Sequence, residues 1–192
     1  MKAAEVYRAL AEKLGPLLVA QGFKKLRSSR LAYQRVTGNT YQTVWFQCDK
    51  HGWDPHAGSR FFVNFTVRAS PTFDTLGRHD EGLFFFLTEA ELAGARDFRD
   101  SVVARIPRPP RSYFETLQAQ YEKYAEDAEG LMATIQAQFE PEPVPYRRHQ
   151  EVGMRYWLRS DVTWWATLIA SVLPRALVTM ESWSAETARG PK

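Results

Sequence analysis

The chain has 192 residues, of which 44% are hydrophobic and 24% charged, ordinary globular proportions that suggest neither disorder nor a membrane protein. With 25 basic against 22 acidic residues the formal charge is only +3, and a pI near 9.0 allows weak attraction to polyanions without arguing for nucleic acid. One domain of this length buries roughly 70% of its unfolded surface, so residues 1–192 read as a single α+β domain.

In chain order, residues 3–20 read as a helix with Val6, Leu10, Leu14, Leu17 and Leu18 on one side. Gly15-Pro16 should kink it, and Gly22 stands where a left-handed C-terminal cap belongs. Its charged residues Glu5, Arg8, Glu12 and Lys13 interrupt any signal-peptide core, and no run approaches the ~20 apolar residues of a spanning helix. The expectation is a cytoplasmic protein. A basic connector follows, with Lys24, Lys25, Arg27 and Arg30, read as a solvated loop before a phosphate site.

Arg30 to Ala69 is the centre of the chain. RLAYQRVT, YQTVWFQCD and RFFVNFTVRA are rich in aromatic and β-branched residues, bounded by turn formers, and read as neighbouring antiparallel strands. Alternation puts Phe61, Val63, Phe65 and Val67 on a core face with Val44, Phe46 and Cys48. Tyr41, Thr43, Trp45 and Gln47 then share the other face with Phe62, Asn64, Thr66 and Arg68, and Tyr33 and Arg35 are expected to join them. This mixed face suits a binding surface, and suits equally a sheet face half-covered by a helix, the commoner arrangement. The candidate binding residues are therefore Tyr33, Arg35, Trp45, Gln47, Phe62, Asn64 and Arg68.

Cys48 is the single cysteine. It excludes an intrachain disulfide, fits a reducing compartment and reads as a small core residue, not a catalytic thiol. The connector DKHGWDPHAGS holds Asp49, His51, Asp54 and His56, but their spacing matches no zinc pattern and a polar loop is expected. No metal or cofactor is expected.

The motifs GFKK, Tyr33 with Arg35, a Gly-Asn turn, VWFQ at 44–47 and FFVNFTV at 61–67 resemble the bacterial domain-of-unknown-function family 4304. The resemblance covers about the first third of the chain with order and spacing intact, and matches Gln47 and Asn64 to that family's amide positions. It implies a small α+β cytoplasmic bacterial protein of no established activity, of a kind that includes immunity or accessory proteins. It carries no catalytic residue. On the chain's own alternation the two amides lie on one face, where they either clamp a ligand or, as the better reading, satisfy a covering loop or helix end.

Beyond Ser70, PTFDTLGRHDEG reads as a loop, GLFFFLT as a strand, EAELAGARDF as a short helix and RIPRPPR as a stiff extended connector. Ser112 with Glu115 looks like a capping box opening one long helix to Phe139. At 1.5 Å per residue it spans roughly 40 Å, enough to project as an arm, and its seam holds a 3.5 period that permits self-association. Gly130 is a point at which it could break. EPEPVPYRRHQE is a linker, VGMRYWLRS a strand, and Ser160 or Asp161 caps a final helix bearing Trp164, Trp165, Leu168, Ile169, Val172, Leu173 and Leu177. Pro174 should bend or end that helix. The Trp pair reads as a core anchor before an exposed hot spot.

The fold expected is thus an antiparallel sheet of about four to six strands with an N-terminal, a long central and a C-terminal helix packed on it. The common nucleotide, hydrolase and metal motifs are missing from the sequence, and carboxylate pairs such as Asp97 with Asp100 read as surface charge. Three functions remain: a non-enzymatic protein-binding module of immunity or accessory type, with a toxin or a second copy as partner; a single-stranded nucleic-acid binder stacking bases on Tyr33, Trp45 and Phe62; and a small-ligand pocket over Gln47 and Asn64.

Overall fold

The first helix, α1 (Ala3–Ala20), forms on the apolar stripe of Val6, Leu10, Leu14 and Leu18, all buried. Leu17, expected on that stripe, is exposed, because the buried line continues from Leu14 to Leu18 at the i, i+4 spacing. The helix runs through Pro16 and closes as anticipated. Gly22 sits at φ +81°, its N–H donates to the Val19 carbonyl, and that of Phe23 donates to the Leu18 carbonyl. These are the paired bonds of a Schellman cap, with Phe23 and Leu18 both buried beside it.

The computed structural model describes residues 1–50, 52–72, 79–107, 109–122, 130 and 153–188. The fold is α+β, built on a six-stranded antiparallel sheet: β1 (Lys24–Lys25), β2 (Leu31–Thr37), β3 (Thr40–Cys48), β4 (Ser59–Arg68) and β5 (His79–Gly82) in that spatial order, with β6 (Met154–Tyr156) paired to the other half of the same edge of β4. The three central strands match the expected runs. β5 was expected to be loop, and the GLFFFLT run, expected to be a strand, is a 3₁₀ turn over Leu83–Phe86. Phe84 and Phe86 pack inward while Phe85 between them is exposed, and Phe86 meets Phe65 edge-on at 4.9 Å.

Helix α2 (Glu89–Arg105) opens on a capping box, the Thr88 hydroxyl taking the Glu91 N–H while the Glu91 carboxylate takes that of Thr88. The capping box expected at Ser112 does not form. Helix α3 (Arg111–Tyr121) starts after Pro110, and Glu115 pairs with Arg111 at 2.9 Å. Gly130 is helical; the rest of the expected long helix and arm lies outside the described residues.

The last helix, α4 (Arg159–Ala188), passes through Pro174 without ending. By length and composition it is apolar enough to cross a membrane, but here Val162, Trp165, Ile169, Val172, Leu173, Ala176, Leu177 and Met180 are buried in the core. It packs on α1, β3, β4 and β6. Asp161 reaches back to accept from the Trp157 and Leu158 N–H groups at 2.9 and 2.8 Å, and takes Arg105 at 2.8 Å. Trp165 is the anchor expected of the Trp pair, and Trp164 stacks on Phe98 at 3.8 Å.

Candidate functional site

The register of β3 and β4 decides which side chains meet. Trp45 lies opposite Asn64, Gln47 opposite Phe62, Thr43 opposite Thr66 and Tyr41 opposite Arg68, so the mixed face exists as the alternation predicts. The other face, with Val44, Phe46, Phe61, Val63, Phe65 and Val67, lies in the main hydrophobic core beneath α1 and α4.

Two candidate residues are misplaced by the sequence reading. Tyr33 pairs with Val44 and Arg35 with Gln42, which puts both on the helix-covered face. The cause is the two-residue Gly38-Asn39 hairpin, which pairs Thr37 with Thr40 and so couples odd positions of β2 to even positions of β3. Tyr33 is 3% exposed, tucked against Gly15, where an added Cβ would stand 2.9 Å from its hydroxyl. Arg35 is a clamp. It donates to Gln42 at 2.7 Å and to the Gln21 carbonyl at 3.0 Å, and pairs with Glu181 at 3.0 Å. Gln42 in turn donates to Ser184 at 2.7 Å.

The mixed face is closed at its centre and half-open at one end. Trp45 is 8% exposed, while Thr43 and Thr66 are buried, as is Ala32 across from Trp45. Gln34 ties the far side down through Thr43 and the Pro71 carbonyl, both at 2.9 Å. Arg68 meets Asp80 at 3.4 Å; burial raises the Asp80 carboxyl above its ordinary value, with the Arg68 charge opposing. Beyond Trp45 the covering thins. Gln47, Phe62 and Asn64 are only partly buried, and among the described residues neither side-chain amide is hydrogen-bonded, contrary to the structural role expected for them.

Arginines frame this end. Arg30 lies 5.1 Å over the Trp45 ring and Arg60 lies 5.7 Å over Phe62. Arg60 also holds Asp49 at 2.7 Å. The Phe62 ring leans over Gly153, whose missing Cβ would fall 2.8 Å from it, so the ring fills the space a side chain would take. Gly153 was not visible as part of the site from sequence, since it stands just before β6 and only the β4–β6 pairing brings it to Phe62.

The connector's polar residues serve other ends. The Asp54 carboxylate accepts from the His56 and Ala57 N–H groups at 2.7 and 2.9 Å, a turn stabilised by its own side chain. His56 meets Tyr113 edge-on. His51 lies outside the described residues. Asp49, Asp54 and His56 are thus drawn to separate partners, and no metal-holding group occurs among the described residues.

A cleft of about 470 Å³ opens between Met1, Cys48, Asp49, Trp53 and Tyr156. Neither Gln47 nor Asn64 lines it. Burial pushes the Cys48 thiol up to about 11, despite a bond to Tyr7 that works the other way, and pushes Tyr156 up to about 12. Both groups stay protonated at neutral pH, the reverse of an activated nucleophile.

No family model matches the chain, and no curated protein or solved structure matches it at a significant level.

Proposed function

We propose that this chain is a non-enzymatic protein-binding module that receives its partner on the half-open end of the mixed face, at Gln47, Phe62 and Asn64. The observation that carries the reading is the pair of amides with no hydrogen bond among the described residues, set beside a partly exposed aromatic ring. Polar groups held in a rigid sheet and left without partners favour a surface completed by another molecule. An aromatic residue flanked by arginine is the composition of an interface anchor.

The chemistry of the remaining groups favours binding over catalysis. The thiol is held protonated, and Asp49, Asp80 and Asp161 are committed to arginines. Base stacking is poorly served, because Tyr33 and Trp45 are buried and Phe62 alone of the three rings is partly open. The GFKK, VWFQ and FFVNFTV motifs support a module of immunity or accessory type in the bacterial cytoplasm, with a toxin as partner.

Affinity capture from the native host tests this, using the full chain and its Phe62→Asp variant. One stoichiometric protein held by the parent and lost from the variant is expected. No stoichiometric protein, or equal capture by both, defeats the proposal.

A further inference from the structure

The cleft beside the start of α1 contains hydroxyl groups that the fold does not use. Met1, Ala3, Gly52 and Trp53 line it together with Cys48 and Tyr156, with Lys2 and Asp49 at its edge. The Trp53 ring is 36% exposed, and its indole N–H donates to the Trp157 carbonyl at 3.1 Å, so the ring is held as a wall. Strand pairing builds the floor. Cys48 stands opposite Phe61 on β4, and two residues back along β4 Ser59 stands opposite Tyr156 on β6. All four therefore lie on the helix-covered side of the sheet.

The polar groups here fall into two kinds. Cys48 is tied to Tyr7, its N–H donating to the Tyr7 hydroxyl at 3.2 Å, and Asp49 meets Arg60 at 2.7 Å. Ser59 and Tyr156 are different. They are 8% and 1% exposed, the Ser59 hydroxyl is buried with no hydrogen bond, and among the described residues the Tyr156 hydroxyl makes none either. Burial keeps Tyr156 protonated, and Ser59 opposes that effect from across the strand pair without closing a hydrogen bond. Leaving a buried hydroxyl proton without an acceptor is costly, and one lining a cleft is an acceptor's place left open.

We propose that this cleft binds a small uncharged molecule, a flat apolar ring bearing one acceptor oxygen, of the chemistry of an aromatic ketone. The ring lies against Trp53 and Met1, and the oxygen accepts a hydrogen bond from Tyr156. A volume of about 470 Å³ is ordinary for a small-molecule site. The charge balance sets the class: Asp49, the one carboxylate among the lining residues, repels an anion, and its pairing with Arg60 means that no cation is needed to neutralise it. Binding is not covalent, since the Cys48 thiol stays protonated. Gln47, Phe62 and Asn64 take no part, so this site stands whether or not a protein docks on them.

The test is a titration of the ¹⁵N-labelled full chain with acetophenone, ethylbenzene and benzoate, read on the Trp53 indole N–H resonance, which a Trp53→Phe variant identifies. Acetophenone should shift that resonance saturably. Ethylbenzene, the same shape without the oxygen, should bind about fivefold more weakly, and Tyr156→Phe should weaken acetophenone by about fivefold while leaving ethylbenzene unchanged. The thermal midpoint of Tyr156→Phe should stay within about 2 °C of the parent's, because the lost hydroxyl had no partner in the fold. No saturable shift with acetophenone would overturn the proposal, as would equal affinity of the parent and Tyr156→Phe for it. A Tyr156→Phe midpoint several degrees lower would make the hydroxyl a structural group and overturn it too. Benzoate binding more tightly than acetophenone would replace the uncharged ligand with an anion and defeat the assignment of class.

Discussion

The two faces of the sheet use the same strands and much the same residue classes, yet they are finished differently. The helix-covered face includes a glutamine, an arginine and a tyrosine: Gln42 is bonded to Ser184, Arg35 to Gln21, Gln42 and Glu181, and Tyr33 is held by packing alone, against Gly15. On the mixed face Gln34 is tied to Thr43 and to the Pro71 carbonyl, the Thr66 hydroxyl opposite Thr43 is buried with no hydrogen bond among the described residues, and among those residues the side chains of Gln47 and Asn64 make none either. Polar content does not separate a binding face from a packed one. What sets the half-open end apart is that its unused hydrogen-bonding groups, Gln47 and Asn64, are partly exposed and within reach of another molecule.

The sharpest way to break this contrast is substitution on each face. Trp165→Ala empties the space under β6 and should cost about 3–5 kcal/mol by urea unfolding; a loss below about 1 kcal/mol would mean that α4 does not hold the core. Asp161→Ala removes the acceptor for two backbone N–H groups and for Arg105, and should cost about 3 kcal/mol with the same assay. Gln42→Ala strands Arg35 and Ser184 for about 1–3 kcal/mol. Phe62→Ala, on the other face, should cost no more than about 1 kcal/mol while abolishing partner capture. Equal destabilisation by Gln42→Ala and Phe62→Ala would erase the distinction between the faces.

The smallest effect lies at the α2 cap. Hydrogen bonds from Thr88, followed by Arg175, lower the Glu91 carboxyl below its ordinary value of 4.5. A lowered folded value means the unfolded chain binds the proton more readily. The stabilisation is therefore complete above about pH 4.5 and is lost as the pH falls through the folded value. Glu91→Gln should lower the midpoint slightly at neutral pH, where the stabilisation is present, and flatten the acid limb, so that parent and variant converge as the pH falls; an unchanged acid limb would refute the assignment.

What the sequence made legible follows from physical clarity. Phe61, Val63, Phe65 and Val67 alternate with polar residues, so the face and register of β4 could be read directly. β2 is harder to read, because Tyr33 and Arg35 are amphipathic and suit either face; the Gly-Asn pair decides, since a two-residue loop couples odd positions of one strand to even positions of the next. At φ +61° in the first central position, Gly38 is where a type II′ turn asks for glycine. In the Phe84–Phe86 run three identical rings leave no apolar–polar contrast to read, although Phe85 is exposed between two buried neighbours. The half-open end was hidden for another reason. The strand at VGMRYWLRS was legible, but Gly153 stands just before it, and its place under Phe62 comes from what faces it across the sheet.

The cover of the apolar face also has a consequence in time. Strands β2 to β4 are joined by local connections and can pair as soon as they leave the ribosome, whereas α4 spans residues 159–188 and is translated well after them. Until it docks, Phe61, Val63, Phe65 and Val67 present an uncovered hydrophobic sheet of the kind chaperones bind. A nascent chain halted before Arg159 should therefore be recovered with holdase chaperones, while one extended past Glu181, long enough for Arg35 to latch the helix end, should release them.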